Sequence, residues 1–259
     1  YIGISLRPTP DALYNELDRT YLVKEYFQDI RDFSAVREIV GIHKPEMVLH
    51  LAAQPLVLDS YIDPLGTFAT NVMGTANILE SLRLQNSTVY VGVVTTDKVY
   101  KNHNQVHKFV ETDPIMGTDP YSASKASAEN VISAWRSMPT TESNLIISSL
   151  RAGNVIGGGD LSANRLLPDL IRTLSAGDQP IIRNPEAVRP WQHVLDPLIG
   201  YLLALDFSIG SKEHNDFNFG PNDAAINVGT VAEIACEAWG ESRIPLIQRL
   251  PNAPYEAGN

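Results

Sequence analysis

Tyr121 and Lys125 stand four residues apart in Tyr-Ser-Ala-Ser-Lys, directly after Asp119-Pro120. An aspartate before a proline marks a helix start, because the carboxylate accepts from first-turn N–H groups and proline is tolerated at the first helical position. On such a helix the spacing puts both side chains on one face, one above the other. An ammonium beside a phenol favours the phenolate, which makes the tyrosine a general base. The spacing alone is common, and a solvated helix face is the plain alternative.

A second group strengthens the chemical reading. The apolar run Val89 to Thr95 predicts a buried strand, and Thr96, Asp97 and Lys98 follow it. They would emerge at the carboxyl edge of the sheet, where open α/β folds hold ligands. A hydroxyl, a carboxylate and an amine in succession could bond a sugar, donate a proton and accept one. Lys98 could act as a base only with a neutral amine, which needs burial or a neighbouring cation. A turn with a solvated charge pair explains less well why this sequence ends a buried strand shortly before Tyr121. Upstream, Ala52 and Ala53 in His-Leu-Ala-Ala-Gln-Pro follow the strand Met47 to Leu51 and leave room for a cofactor near the backbone. Asp29 in Gln-Asp-Ile-Arg-Asp could meet an adenine amine, while Asp32 is equally suited to cap the next helix.

The elements that must position these residues form an α/β pattern. Short apolar runs at Tyr1 to Ser5, Glu25 to Phe27, Met47 to Leu51, Val89 to Thr95 and Leu145 to Leu150 alternate with helical segments at Phe33 to Ile42, Pro64 to Leu84 and Pro120 to Arg136. Alternation of this kind predicts a parallel sheet covered by helices on both faces. Asp63-Pro64 marks a second well-signalled helix start. After Arg151 the pattern loosens: a helix is expected near Arg165 to Ser175, a short strand at Ile181 to Arg183 and a helix near Leu195 to Leu205, in a smaller lobe interwoven with the sheet.

Composition narrows the function. The 259 residues are 44% hydrophobic and carry a net charge of −10. No global positive field is available to hold nucleic acid, and an anionic small molecule would need local arginines. No stretch approaches the roughly 18 apolar residues of a membrane span. The single cysteine, Cys236, can form no intrachain disulfide and sits in an apolar helical pattern. His103 and His107 lie in a polar loop without a third ligand at suitable spacing, so no metal site is expected.

Read together, HLAAQPLV, Asp63 to Thr75, TTDKVY, DPYSASK, RAGNVIGGGD, RLLPD and RNPEAVRPWQHVLDPL resemble, in order and spacing, the nucleotide-sugar 4,6-dehydratases of the extended short-chain dehydrogenase/reductase type. The resemblance covers essentially the whole chain. Asp-Lys at 97 and 98 and the RNPxxxRPWQHV stretch point to the CDP-glucose branch, since dTDP-glucose enzymes carry Asp-Glu there. It implies a Rossmann-like doubly wound sheet in residues 1–150 that binds NAD, and a smaller substrate-binding lobe in 151–259. The implied catalytic residues are Tyr121 as base for the sugar 4-hydroxyl, Lys125 as its assistant, Thr96 on the 4-oxygen, Asp97 as the acid that releases water from C6, and Lys98 as a base. Cofactor contacts are implied for Asp29, Ile30, Leu51, Ala52, Ala53, Gln54, Asn71, Thr95, Tyr121 and Lys125. Thr96, Asn154, Arg165, Arg183 and Arg189 are implied for the nucleotide sugar, the arginines because their planar fork matches phosphate oxygens. A cytoplasmic homodimer built through a four-helix bundle of Pro64 to Leu84 and Pro120 to Arg136 is implied as well.

The sequence departs from the family in three places. No Gly-x-x-Gly-x-x-Gly loop opens the chain, so about 25 residues of a βαβ unit are expected to precede it. The family also continues beyond the present C-terminus. Leu161 stands where tryptophan is usual, beside Gly157 to Gly159, which are expected to form a tight turn. Arg7 after the first strand could suit a 2′-phosphate, so NAD rather than NADP rests on the resemblance. A 4-epimerase, a dTDP-glucose-type dehydratase and a catalytically silent nucleotide-sugar binder are the alternatives; an epimerase needs no acid at C6, and a silent binder needs no matched acid and base.

Overall fold

A computed structural model describes residues 1–22, 24–102, 107–139, 144–222, 226–240 and 246–247. The chain forms two compact units: 1–101 with 109–152 and 198–219, and 102–108 with 153–197 and 220–259.

In the first unit, β1 (Ile2–Ser5), β2 (Lys24–Phe27), α1 (Phe33–His43), β3 (Met47–His50), α2 (Val57–Ile62), α3 (Pro64–Phe68), α4 (Gly74–Arg83), β4 (Val89–Val94), α5 (Pro120–Arg136) and β5 (Leu145–Ala152) follow one another. In the second lie β6 (Val155–Ile156), α6 (Leu166–Ser175), β7 (Ile181–Ile182), β8 (Val188–Arg189) and β9 (Gln192–His193). The helix α7 (Leu195–Ser211) leads back into the first unit and to β10 (Asn215–Phe219), after which β11 (Ile226–Asn227), α8 (Val228–Trp239) and β12 (Leu246–Ile247) complete the second.

Four parallel strands pair in the order β10-β5-β4-β3, and β1 and β2 form a separate parallel pair. Alternation along the strands sorts the core. Val89, Val91 and Val93 of β4 and Leu145 and Ile147 of β5 pack with Val36, Val40, Leu79, Leu82 and Ile132 of α1, α4 and α5. Leu150 and Ala152 on the other face of β5 pack with Tyr201 and Ala204 of α7 and with Phe217 and Phe219 of β10. Gly92 lets that second layer close: a Cβ there would lie 2.8 Å from Leu150 and 3.4 Å from Leu205. All eight residues of β5 are buried, as expected of a strand covered on both faces.

The expected strands and helices are present with small boundary shifts, and three differences have physical causes. First, β3 stops at His50, leaving Leu51 half-exposed beyond it. Second, the helix expected over Pro64 to Leu84 contains a π turn, Ala69–Met73, where the Gly74 amide donates to the Ala69 carbonyl, five residues back. One extra residue is accommodated without ending the helix. Third, α7 runs on to Ser211, and β10 carries no strand signal because its Asn-Asp-Phe-Asn-Phe sequence is rich in strand-disfavouring residues. In the second unit α6 and α8 share a small core of Leu170, Ile182 and Ala232. Gly158 and Gly159 form the turn expected there, with Gly159 at φ 79°.

The Asp-Pro signals mark helix starts in the structure. Asp63 accepts from the Gly66 amide at 2.9 Å, and Asp119 accepts from the Ser122 amide at 2.9 Å in a reciprocal capping box. Asp32 caps α1 by accepting from the Ala35 amide. Replacing Asp119 with alanine is expected to lower unfolding stability by roughly 1 kcal/mol, read by urea denaturation against the native protein; an unchanged midpoint would show that the box contributes nothing.

Candidate functional site

Tyr121 and Lys125 lie on one face of α5, both less than 10% exposed. The Lys125 ammonium donates to the Val94 carbonyl at 3.1 Å, which ties the helix face to the last residue of β4. Burial pushes the Lys125 pKa down to about 8, against the opposing pull of Glu129 one turn further along. Tyr201 on α7 is close enough for Tyr121 to act on its ionisation: burial first, and then Tyr121, push the Tyr201 phenol up to about 12, so it stays neutral.

Directly after β4, Thr96 caps a single 3-10 turn, Asp97–Val99, accepting from the Lys98 amide at 3.3 Å and donating to the Asp97 carboxylate at 3.1 Å. Thr96 is buried, and Asp97 and Lys98 are half-buried. The turn is fixed from outside by a strap: Lys101 donates to the Pro114 carbonyl, Met116 donates to the Val99 carbonyl, and Tyr100 forms a bridge with Ile115. The 3-10 turn and α5 therefore project from the same strand end, held through Lys125 and through this strap into the Asp119 cap.

The loop after β3 is organised by Asn71 at the centre of the π turn. Its carboxamide oxygen accepts from the Gln54 amide at 2.8 Å, and its nitrogen donates to the Gln54 carbonyl at 3.1 Å and to Ser124 Oγ at 2.8 Å. Ser124 in turn donates to the Tyr121 carbonyl. The Gln54 side chain donates to Thr67 and accepts from the Leu56 amide. The side chains of Gln54 and Asn71 are thus committed to holding the strand-end loop against α5. Ala52 and Ala53 are partly buried. At the end of β2, Ile30 is buried in the core beneath Gly74, whose Cβ would come within 2.5 Å of it. The Asp29 carboxylate is gripped by Arg31, whose hydrogen bonds hold its pKa below the usual range.

The second unit carries the remaining expected residues. The Asn154 carbonyl accepts from the Gln192 amide. Arg165 precedes α6 and pairs with Asp160 at 3.4 Å. Arg183 is exposed after β7, and Arg189 in β8 donates to the Val188 carbonyl. No group of three His, Cys, Asp or Glu able to hold a metal occurs among the described residues, and no helix among them is long and apolar enough to cross a membrane. Cys236 is buried on α8, and His103 lies outside the described residues.

Several residues that shape the site carried no role in the sequence reading. His50, the last residue of β3, is buried and bonds Thr75 Oγ1 at 3.1 Å; Thr75 spends its own proton on the Asn71 carbonyl, so the imidazole Nε2 is the donor. Glu129 and Arg151 form a buried ion pair behind Lys125. The spacing of Tyr121, Lys125 and Glu129, four residues each, was a signal available in the sequence.

Residues 11–249 match the family profile described as GDP-mannose 4,6 dehydratase. A CDP-glucose 4,6-dehydratase of Salmonella typhimurium is 41% identical over 258 residues, covering 96% of this chain and 72% of its own. A dTDP-glucose 4,6-dehydratase of Escherichia coli is 28% identical, and this chain spans 62% of its length. Among solved structures, a UDP-glucose 4-epimerase of Thermus thermophilus in complex with NAD superimposes with a TM-score of 0.79 at 24% identity, covering all of this chain and 88% of that one. A Streptomyces venezuelae dTDP-glucose 4,6-dehydratase with NAD bound gives 0.76 at 22%, covering 91% and 70%.

Burial pushes the His50 pKa down to about 3, with the Lys125 charge adding to the effect. Its folded value lies below its unfolded value near 6.5, so the unfolded chain binds the extra proton first. The stability at stake is present above about pH 6.5 and is lost as pH falls toward 3, by up to roughly 1.4 kcal/mol per pH unit. His50→Gln, which keeps an N–H donor, is expected to flatten the fall in denaturation midpoint between pH 7 and 5; an unchanged slope would place the acid sensitivity elsewhere.

Proposed function

Because the chain belongs to the GDP-mannose 4,6-dehydratase family, we propose that it is an NAD-dependent hydro-lyase that converts CDP-glucose to CDP-4-keto-6-deoxyglucose. The observation that carries this reading is the buried Tyr121–Lys125 pair anchored by Val94 to the strand end that bears Thr96, Asp97 and Lys98. A relative 41% identical over nearly the whole chain supplies the choice of CDP-glucose.

The donor set suits a dinucleotide. Lys125 and Tyr121 offer hydrogen-bond donors to ribose hydroxyls, Asp29 is an acceptor for an amine, and Ala52 and Ala53 carry nothing beyond a Cβ to block a close approach. Ile30, with its side chain in the core, contributes through its backbone, as do Leu51, Gln54 and Thr95; Asn71 holds that backbone in place. When bound, NAD supplies the redox step, taking electrons from the sugar at C4 and returning them at C6.

The protein's residues handle protons and orientation. Tyr121 removes the proton of the 4-hydroxyl, and the Lys125 ammonium stabilises the phenolate. Thr96 hydrogen-bonds the 4-oxygen. Oxidation at C4 makes the neighbouring C5 proton acidic; Lys98 accepts it and hands it back to C5 as electrons return at C6. Asp97 delivers a proton to the departing C6 hydroxyl, which leaves as water. Arg165, Arg183 and Arg189 meet the diphosphate, with Asn154 beside them, which supplies the local positive charge an acidic protein needs for an anionic substrate. In a homodimer joined through α3–α4 and α5, the exposed side chains of Leu65, Phe68 and Met73 gain cover. A cytoplasmic setting matches the availability of nucleotide sugars.

Asp97 separates this reading from a 4-epimerase, which removes no water. The holoenzyme incubated with CDP-glucose is expected to yield a 4-keto-6-deoxy sugar detected by its absorbance in base, with little product from dTDP-glucose. Tyr121→Phe is expected to reduce turnover by about 10²- to 10⁴-fold. Asp97→Asn should slow water loss while leaving oxidation at C4, visible as reduced cofactor that accumulates. Interconversion of C4 epimers without loss of water would replace the dehydratase reading with the epimerase one.

A further inference from the structure

Glu129 and Arg151 are both at most 5% exposed, and their charges are joined by two hydrogen bonds of 2.9 and 3.0 Å. Strand alternation makes the meeting inevitable. Thr95 continues the face of β4 that carries Val91 and Val93, and Ser149 and Arg151 continue the face of β5 that carries Leu145 and Ile147. All three point toward α5, where Glu129 receives them: Thr95 and Ser149 donate to Oε1 at 2.5 and 2.6 Å, beside the Arg151 Nε.

The guanidinium is nearly as fully engaged. Its Nη1 donates to Tyr100 Oη at 2.9 Å and to the Glu111 carbonyl at 3.0 Å, its Nη2 donates to Glu129 at 2.9 Å, and the Asp216 carboxylate of β10 pairs with Nη2 at 3.3 Å. With Nε, four of the five N–H groups have hydrogen-bond acceptors and the ion pair with Asp216 adds to them. Tyr100 in turn donates to the Asn218 carboxamide oxygen at 2.6 Å. Burial disfavours the Arg151 charge, but the hydrogen bonds and charge of Glu129 outweigh it and hold the pKa above the ordinary arginine value.

Buried ion pairs are poor stabilisers compared with apolar residues of the same volume, so stability is a weak reason for this one. Its location offers a better reason. Glu129 stands one turn beyond Lys125 on the same face of α5, and the network joins that face to the carboxyl ends of β4 and β5. We propose that Glu129, locked by Arg151, is a positioning residue for the Tyr121–Lys125 pair: it fixes α5, and with it both side chains, against the strand end that bears Thr96 and Asp97. This inference rests on the function proposed above.

The other charged and titratable groups around Lys125 set the direction of the effect. His50 on β3 is neutral, Tyr121 precedes Lys125 on α5 and acts on the ionisation of Tyr201 on α7, and Arg151 on β5, paired with Asp216 as well, lies beyond Glu129. Glu129 is the one whose charge favours the Lys125 ammonium and opposes its burial. Without that charge Lys125 loses its proton at lower pH, and the phenolate loses its partner sooner.

The test has two readouts on the holoenzyme. The first is the pH profile of kcat with CDP-glucose, whose alkaline limb follows loss of the Lys125 proton. The second is titration of the Lys125 ammonium by NMR of lysine-labelled protein, assigned with Lys125→Arg, which needs no substrate turnover. Glu129→Gln is expected to lower kcat by about 10-fold or more with KM little changed, and to move both the alkaline limb and the Lys125 titration to lower pH by roughly one unit. Glu129→Asp, which keeps the charge, should leave both near their native positions. If Glu129→Gln leaves an unpaired arginine that prevents folding, the double variant Glu129→Gln with Arg151→Met removes both charges and should show the same displaced titration. A titration and limb that stay in place in whichever charge-removing variant folds, with only thermal stability lost, would reduce Glu129 to a structural role. If the native protein turns over no CDP-glucose, the function proposed above fails, while the NMR titration still decides whether Glu129 controls Lys125.

Discussion

A lysine enclosed by protein is expensive, because the charged form leaves water and keeps few substitutes. Lys125 is such a residue, and much of the first unit is arranged around it. One carbonyl, that of Val94, accepts a hydrogen bond from it; one carboxylate, that of Glu129, stands a turn away to favour its charge; and the imidazole of His50, kept neutral by burial and by the Lys125 charge, does not repel it. Its neighbours on α5 are small, Ser122, Ser124, Ala126 and Ala128, so that the helix lies close against the strand ends. The outcome is an ammonium that is charged at neutral pH yet has little margin before it loses its proton.

Position follows from backbone rules. Parallel pairing delivers β3 and β4 with their carboxyl ends on one edge of their sheet, and the loops after β2, β3 and β4 are each held in their own way. Arg31 grips Asp29 after β2, Asn71 holds the Ala52–Gln54 backbone after β3, and Thr96 caps the turn after β4. The helix that supplies the base is fixed at its start by the Asp119 box and at its end by Arg136, which donates to the Ile147 and Asn215 carbonyls and pairs with Asp216. With both ends tied, Tyr121 and Lys125 have little freedom to drift from the β4 turn, and proton transfer depends on that constancy.

The sequence made some of this legible and hid the rest for definite reasons. The Asp-Pro starts, the Tyr-x-x-x-Lys face and the strand that ends in Thr96 are local signals, and local physics decides them. The separation of the parallel strands into two hydrogen-bonded groups is a matter of pairing partners, which hydrophobic alternation does not encode. The β10 strand escapes notice because its polar positions read as a loop, although Asn218 and Asp216 are polar there in order to meet Tyr100, Arg136 and Arg151. The Glu129–Arg151 pair is half legible: the helix spacing shows one partner, but the other comes from a strand 22 residues away and is chosen by strand parity. Arg165, Arg183 and Arg189 stand out by resemblance alone, since no local pattern distinguishes a phosphate-binding arginine from a solvated one.

The π turn at Ala69–Met73 makes this region unequal in what it tolerates. A point substitution at Ala69, Thr70, Val72 or Met73 leaves the residue count intact, and Asn71 still faces Gln54 and Ser124. Loss of a single residue from the same five would restore an unbroken α-helix with the turns on either side in phase, because the wide turn absorbs the one extra residue, and it would remove the bulge that carries the Asn71 carboxamide to Gln54 and Ser124. The imprint of the site in this stretch is thus a count of residues and one required letter, the asparagine at its centre.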